Sequence, residues 1–474
     1  MNLRLPALLG MLCVLASCHS RNPQQPVSLG YTVTPCGDAY RFLANEVECG
    51  TMVVEETRGS GNGRTVAFPV VTVRALNHAK ADPVIWLHGG PGGGAIGGLP
   101  DQLKARRNPM TEDRDWIFLD QRGAGQSVPR LDCGDIGISD AGLTDDMAVE
   151  AVQACGRRLS AEGIDLSQYN VATVVKDLRD LRAALGIRAY NLFGVSYGSR
   201  VALGVMQHDP KDLRAVVLDS PWPPEFSWIW PQPELISRVT RQVLSLCAKD
   251  AACGARHPQL ESRFDLLMRQ WQNRPPTSKG HQYSVDEVSA YLLDALYGDE
   301  SARALPMVLE QMIAGDYSAL DEYLLARNES LEGHFFAHVC KEELAFDSRT
   351  EKRGMDSKDP IIAGAARAAD RMFAACEGFA VGAPDPVENQ AVVSDIPTLL
   401  IAADIDAGCA AEFAQASAKS LSKSQVFTMS NMTHSVAARS PCAKRMIAAF
   451  FDQPEAKVDD SCIALDRPVF PFVL

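Results

Sequence analysis

The sequence predicts an α/β fold, with a mostly parallel central sheet and an inserted helical region. Three observations carry this. Short apolar strand runs alternate with amphipathic helical runs through residue 219, the signature of a sheet covered on both faces. The run Tyr190-Asn191-Leu192-Phe193 enters a helical stretch through Gly194-Val195-Ser196-Tyr197-Gly198, a strand–turn–helix junction. After Ser220 the alternation stops at Pro221-Trp222-Pro223-Pro224, and strand runs return only at Ile396.

In order, Thr51–Glu55 and Thr65–Ala75 alternate apolar with polar or β-branched residues around a Gly59–Gly63 turn, which predicts a hairpin at a sheet edge. Pro83–Leu87 reads as a central strand running into His88-Gly89-Gly90-Pro91-Gly92-Gly93-Gly94. Trp116–Leu119 is the next buried strand, ending in Asp120-Gln121-Arg122-Gly123. A helix spans about Val171–Leu185, with Leu178, Leu181 and Leu185 at helical spacing and Gly186 as its stop. The strand before Ser196, the helix Ser199–Gln207 and a strand at Ala215–Leu218 follow. The stretch 221–391 is helical in character, and Ile396–Ile401, Gln425–Met429 and a closing helix over Ala443–Phe451 resume the sheet. In such sheets a site forms at the carboxyl ends of the strands.

The Gly-x-Ser-x-Gly junction is a nucleophile elbow. Its tightness leaves no room for side chains beside the turn and aims a strained Ser196 Oγ away from the backbone. A serine needs a base, and the base an orienting acid; on this fold the chain order is Ser, acid, His. Beyond the strand at 397–401 one histidine remains, His434, in a loop after the next strand. Asp404 and Asp406 both follow 397–401; Asp406, deeper in the loop, is preferred as the acid, leaving Asp404 as a turn or capping residue. The N–H of Tyr197 and that of Gly90 are the candidate oxyanion donors. The 89–94 glycines lack the pattern of a phosphate loop. His334 and His338 stand four apart near Glu342 and Glu343, without His-Glu-x-x-His; a polar helix face is preferred to a metal site. The aromatics at 222–230 read as a lid lining. The chemistry requires no cofactor and no metal.

The chain has 474 residues, 46% hydrophobic and 22% charged, with a net charge of -13 and no basic run, which argues against a nucleic-acid partner. Arg4, the apolar Leu5–Leu15 and Leu15-Ala16-Ser17-Cys18 form an export signal too short to span a bilayer as a mature helix. The last four residues resemble a bacterial lipobox, which implies cleavage before Cys18 and lipidation of its thiol. Of 13 cysteines, Cys13 and Cys18 belong to the signal. Ten others fall into sequence-local pairs, Cys36/Cys49, Cys133/Cys155, Cys247/Cys253, Cys340/Cys376 and Cys442/Cys462, a density that fits an oxidising compartment. Cys409 is left over. The expected organisation is a signal at 1–17, a tether at 18–30, core at 31–220, a helical cap at 221–391 and core again at 392–474.

Together His88-Gly89-Gly90-Pro91-Gly92, Asp120-Gln121-Arg122-Gly123-x-Gly125-x-Ser127, the Asp177–Gly186 helix phrase, Gly194-x-Ser196-Tyr197-Gly198, Val216–Asp219 and the Cys442/Cys462 tail resemble the prolyl/tripeptidyl aminopeptidase branch of the α/β-hydrolase superfamily. The resemblance covers nearly all of the mature chain and is weakest in the cap. It implies a serine exopeptidase acting on peptides with a free N-terminus, whose cap carboxylates meet the substrate ammonium. Cys340-Lys341-Glu342 resembles the family's Cys-x-Glu and makes Glu342 the candidate amine receptor, ahead of Glu225 and Glu343. One departure stands out: the family's Asp-Pro-Val-Thr-Pro is here Asp406-Ala407-Gly408-Cys409-Ala410. The expectation is an exported, lipid-anchored serine peptidase facing the periplasm or cell surface. The alternatives are a carboxylesterase with the same triad and a catalytically silent surface scaffold.

Overall fold

The computed structural model describes residues 28–43, 46–77, 80–104, 109–134, 146–326, 332–465 and 470–473. The expected signal, Cys18 and most of the expected tether lie outside the described residues. The strands β1 (Gly30–Thr34), β2 (Val47–Glu55), β3 (Thr65–Val73), β4 (Lys80–Leu87), β5 (Arg114–Leu119), β6 (Tyr190–Val195) and β7 (Leu213–Asp219) form most of the sheet. Between them lie the helices α1 (Leu99–Lys104), α2 (Asp146–Ala161), α3 (Val171–Ala184) and α4 (Tyr197–His208). The chain then leaves the sheet for α5 (Gln232–Lys249), α6 (Ala251–Arg256), α7 (Leu260–Asn273), the short strands β8 (Thr277–Ser278) and β9 (His281–Gln282), and α8 (Val285–Tyr297). There follow α9 (Asp299–Ile313), α10 (Ser318–Ala326), α11 (Glu332–Glu342) and α12 (Pro360–Cys376). It returns as β10 (Thr398–Ala403), α13 (Ala411–Ser417), β11 (Ser424–Met429), α14 (Val436–Arg439), α15 (Pro441–Asp452) and α16 (Ser461–Leu465).

The nine-stranded sheet runs β1-β2-β3-β5-β4-β6-β7-β10-β11. Its first three pairings are antiparallel and the rest parallel. The β2–β3 hairpin expected at the edge is therefore one strand in: β1 covers it, and starts at Gly30, inside the expected tether. Helix α2 is an addition to the expected elements; Val149, Val152, Cys155 and Leu159 supply its buried face. The β8–β9 ribbon is likewise an addition to the all-helical expectation for 221–391. Lys279 (φ 49°) and Gly280 (φ 84°) both take the positive φ of a type I′ turn, which closes a two-residue hairpin.

One apolar cluster packs α2, α3, α4 and the start of the inserted region on one sheet face, and a second packs α15 on the other. A third holds the inserted helices together and reaches Ile405 and Ala407, beside the expected acid. The paired cysteines are joined as expected from their spacing, all five pairs. Cys409 is free and buried. No described helix is long and apolar enough to cross a membrane.

The junction of β6 and α4 has no space for two side chains. A Cβ at Gly194 would lie 2.4 Å from the Gly198 carbonyl oxygen, and one at Gly198 would lie 2.0 Å from that of Leu87. Gly198→Ala is expected to lower stability by roughly 3 kcal/mol or more, because backbone on both sides must move. Gly186→Ala meets no atom within 4 Å and carries only the strain of its φ of 68°, about 1–2 kcal/mol. Thermal melts of the two variants check the contrast.

Candidate active site

Ser196 sits between β6 and α4 with φ 55° and ψ -128°, a conformation L-residues adopt only under constraint. The constraint is local pairing. The Ser196 N–H donates to the Asp219 carbonyl at 2.9 Å, and its own carbonyl accepts the Ser199 N–H at 2.8 Å. Tyr197 is the first residue of α4, so its N–H has no intrahelical acceptor and stands at the positive end of the helix.

The loop after β4 approaches the same point. A Cβ on Gly89 would stand 2.7 Å from Ser196 Cβ, so the backbone of 89–90 passes directly over the serine. Gly90 has φ 120°, open only to glycine without strain. Gln121 Nε2 donates to the His88 carbonyl at 2.9 Å. Asp120, fully buried, accepts the N–H of Ile96 at 3.1 Å and of Gln126 at 2.8 Å. Burial raises its pKa, and those N–H groups oppose the rise. Arg122, also fully buried, forks onto Asp177 of α3 at 2.7 and 2.8 Å. Asp120, Gln121 and Arg122 stand just past the end of β5, within the motif that carries the family resemblance. Charged residues directly after a buried strand were the available signal that they brace the loops.

The loops after β10 and β11 supply the other side chains. His434 Nδ1 lies 2.7 Å from Asp406 Oδ2. The other carboxylate oxygen accepts the N–H of Gly408 at 2.9 Å and of Cys409 at 2.8 Å, so the carboxylate cannot rotate away. Asp404 does not meet the histidine; it faces the backbone N–H groups of Asn431 and Met432. Burial alone would lower the His434 pKa. The carboxylates of Asp406 and Asp219 outweigh it, and the net shift is upward. Tyr297, the last residue of α8, packs edge-on against the imidazole with ring centroids 4.8 Å apart. A Cβ on Gly408 would lie 2.3 Å from the Tyr297 hydroxyl, so any larger residue there requires the tyrosine to shift. Ser196, His434, Gly89 and Gly90 line one cavity of about 800 Å3, with Trp86 and Phe118 on its wall.

Glu342 is elsewhere than expected. It is 2% exposed, and Oε1 accepts the Val171 N–H at 2.5 Å while Oε2 accepts the Tyr197 hydroxyl at 3.0 Å. It lies behind the elbow helix, and with both oxygens engaged it has no free oxygen for a substrate ammonium. Glu343 pairs with Arg200 and accepts the Trp228 N–H at 3.2 Å; burial, opposed by Arg200, pushes its carboxyl up to about 7. Glu225 is half-buried in the segment leaving β7, and burial raises its pKa. The expected polar face of His334 and His338 is also corrected. Both are fully buried, 3.2 Å apart through their Nε2 atoms, and His338 Nδ1 shares a hydrogen bond with the Tyr197 hydroxyl. Burial lowers the His334 pKa well below the usual value, so it is neutral at pH 7. Trp222, Trp228 and Trp230 are buried against the core rather than lining an open lid. Helical spacing alone could not separate these buried faces from solvated ones.

Residues 82–239 match the family described as alpha/beta hydrolase fold, and residues 360–462 match the TAP-like protein family. Over 141 residues the chain is 31% identical to a proline iminopeptidase of Xylella fastidiosa (strain Temecula1 / ATCC 700964), covering 30% of this chain and 32% of that protein. It is 23% identical over 305 residues to a tripeptidyl aminopeptidase of Streptomyces coelicolor, covering 59% and 55%. It is 25% identical over 258 residues to the serine protease Hip1 of Mycobacterium tuberculosis (strain ATCC 25618 / H37Rv), covering 50% and 45%. The chain thus spans between about a third and about half the length of these relatives.

Cys409 is 2% exposed beside Ser196, and burial raises its pKa well above the usual thiol value. It is expected to resist alkylation by iodoacetamide in the native protein and to react on unfolding; peptide mass spectrometry of the labelled chain reads this directly. By its sheet order and the two family matches, the chain therefore has the α/β-hydrolase fold, with a region over residues 360–462 similar to TAP-like proteins.

Proposed function

We propose that the protein is a serine exopeptidase that removes one or more N-terminal residues from peptides through an acyl-enzyme. The observation that carries this is the 2.7 Å pairing of His434 with Asp406 over a cavity that Ser196 also lines. The peptidase names of the relatives support amide rather than ester substrates. Ser196 Oγ attacks the scissile carbonyl as His434 Nε2 takes its proton. Asp406 holds the imidazole by Nδ1 and stabilises the imidazolium. The N–H groups of Gly90 and Tyr197 receive the oxyanion. His434 then protonates the leaving amine and activates the water that releases the acyl group.

For the amine, Glu225 replaces Glu342 as the receptor. It is half-buried at the carboxyl end of the sheet, and its neighbour Phe226 packs on Phe413 of α13, just beyond the Asp406 loop. Among the described residues no side-chain cation lies at ion-pair distance from it, whereas Glu342 and Glu343 are committed to Tyr197 and Arg200. The lipobox-like Leu15–Cys18 and the five disulfides support an exported protein anchored through Cys18.

Matched Pro-, Ala- and Ala-Ala-Pro-anilides with free and acetylated N-termini test the reading, with Ser196→Ala as the blank. Cleavage is expected only of the free amines, and Glu225→Gln is expected to raise KM at least about 10-fold, as loss of a buried charge partner does. Equal cleavage of the acetylated set would remove the exopeptidase claim, and ester cleavage without amide cleavage would identify an esterase.

The pH dependence follows from His434, which must be neutral to accept the proton. Its folded pKa is raised, so kcat/KM is expected to climb with pH through a midpoint above 6.5. A pH–rate profile with a midpoint at or below that value contradicts the assignment of the base.

A further inference from the structure

Three serines with positive φ are tied, directly or through a neighbouring residue, to Asp219. Ser196 has φ 55°, Ser220 φ 50° and Ser435 φ 62°. They come from three different places: the elbow, the end of β7 and the loop carrying His434. Asp219, the last residue of β7 and 1% exposed, bonds Ser196 and Ser220 directly and the two residues that follow Ser435. Its carbonyl accepts the Ser196 N–H at 2.9 Å. Its carboxylate accepts the N–H of Val436 at 2.9 Å and of Ala437 at 2.8 Å, the two residues that follow Ser435. The Ser220 hydroxyl lies 3.4 Å from the same carboxylate and accepts the Ser435 N–H at 3.0 Å.

We propose that Asp219 is a positioning residue for this site, one that ties the nucleophile through its carbonyl and the histidine loop through its carboxylate. The inference rests on reading Ser196, His434 and Asp406 as the catalytic set. Asp219 is not the acid that pairs with His434 Nδ1; that place is taken by Asp406. Its part is geometric and electrostatic. A strained loop returns to a relaxed φ unless something holds it, and two N–H donors on a buried carboxylate hold the backbone immediately after His434. An uncharged cap would serve a surface turn equally well. Burying the charge is costly, and burial pushes this carboxyl up to about 6, so it is ionised above that pH and acts on His434.

His434 is faced by Asp406 from the loop after β10, Asp219 from β7, Arg439 from α14 and Tyr297 from α8. Cys409 adjoins Asp406, and Asp299 of α9 receives the Thr433 hydroxyl and lies 3.6 Å from Arg439. Of these, the two carboxylates facing the ring raise its pKa and Arg439 lowers it. Removing the Asp219 charge therefore lowers the His434 pKa and moves the rising limb of the pH profile to lower pH.

The test is steady-state hydrolysis of p-nitrophenyl butyrate by the full chain across pH, for the native protein, Ser196→Ala, Asp219→Asn and Ser220→Ala. Asparagine keeps the shape but turns an N–H group toward one of the two backbone donors, so the loop must shift. For Asp219→Asn a kcat reduced about 10- to 100-fold is expected, with KM within about twofold and the rising limb moved to lower pH. An unchanged kcat, or a reduced kcat with the limb unmoved, makes Asp219 a packing residue and overturns the inference. If Asp219→Asn does not fold, Ser220→Ala decides. It keeps the charge and removes the Ser435 tie, so kcat is expected to fall about 3- to 10-fold with the limb in place, and an unaltered kcat overturns the inference. Turnover that survives Ser196→Ala brings down the catalytic set and this inference together. A silent Ser196→Ala beside a native-like Asp219→Asn brings down the inference alone.

Discussion

Steric exclusion between β6 and α4 governs the arrangement of everything around it. Backbone from Leu87, Gly194 and Gly198 meets at distances that admit no Cβ. The serine between the two glycines must therefore take a positive φ, and the helix behind it must start at once. That contact also brings the end of β4 beside the serine, so the glycine loop after β4 has only one place to go. The candidate oxyanion donors, the candidate nucleophile and the adjacent strands thus share one packing constraint. Strain of this kind, of order 1–3 kcal/mol per residue, persists only where the surroundings over-determine it. Here they do so through the buried hydrogen bonds of Asp219 and the fully buried Arg122–Asp177 fork.

The inserted helices act on the site from the opposite side. Tyr297 closes against His434, and Asp299 takes the Thr433 hydroxyl from the same loop. Gly408 leaves room for this approach, since a Cβ there would crowd the Tyr297 ring. The disulfide between Cys340 and Cys376 joins α11 to the end of α12. A loop of that length removes about 3–4 kcal/mol of chain entropy from the unfolded state, which helps to hold an otherwise separate helical layer. Behind the elbow, Tyr197, His338, Glu342 and Arg200 form a buried polar contact between the insert and α4. Each member has partners there, as buried polar groups require.

Ser196, its flanking glycines, the alternation of strands and helices, the place of the helical insert and the cysteine pairs were all legible from residue order. The reason is that each rests on local chemistry: a turn with one steric solution, periodicities of two and of about 3.6, and neighbours close enough in the chain to meet. Choosing Asp406 over Asp404 needed only its position beyond the strand end. What tertiary packing alone decided is which polar groups are already spent. Glu342 looks like an available carboxylate until α3 and Tyr197 are brought to it, and His334 and His338 look solvated until α11 is buried. Asp219 reads as the end of an apolar strand until the histidine loop, more than two hundred residues later, arrives with two unpaired N–H groups. Hydrogen-bond saturation and desolvation are properties of long-range neighbours, and residue order carries no measure of them.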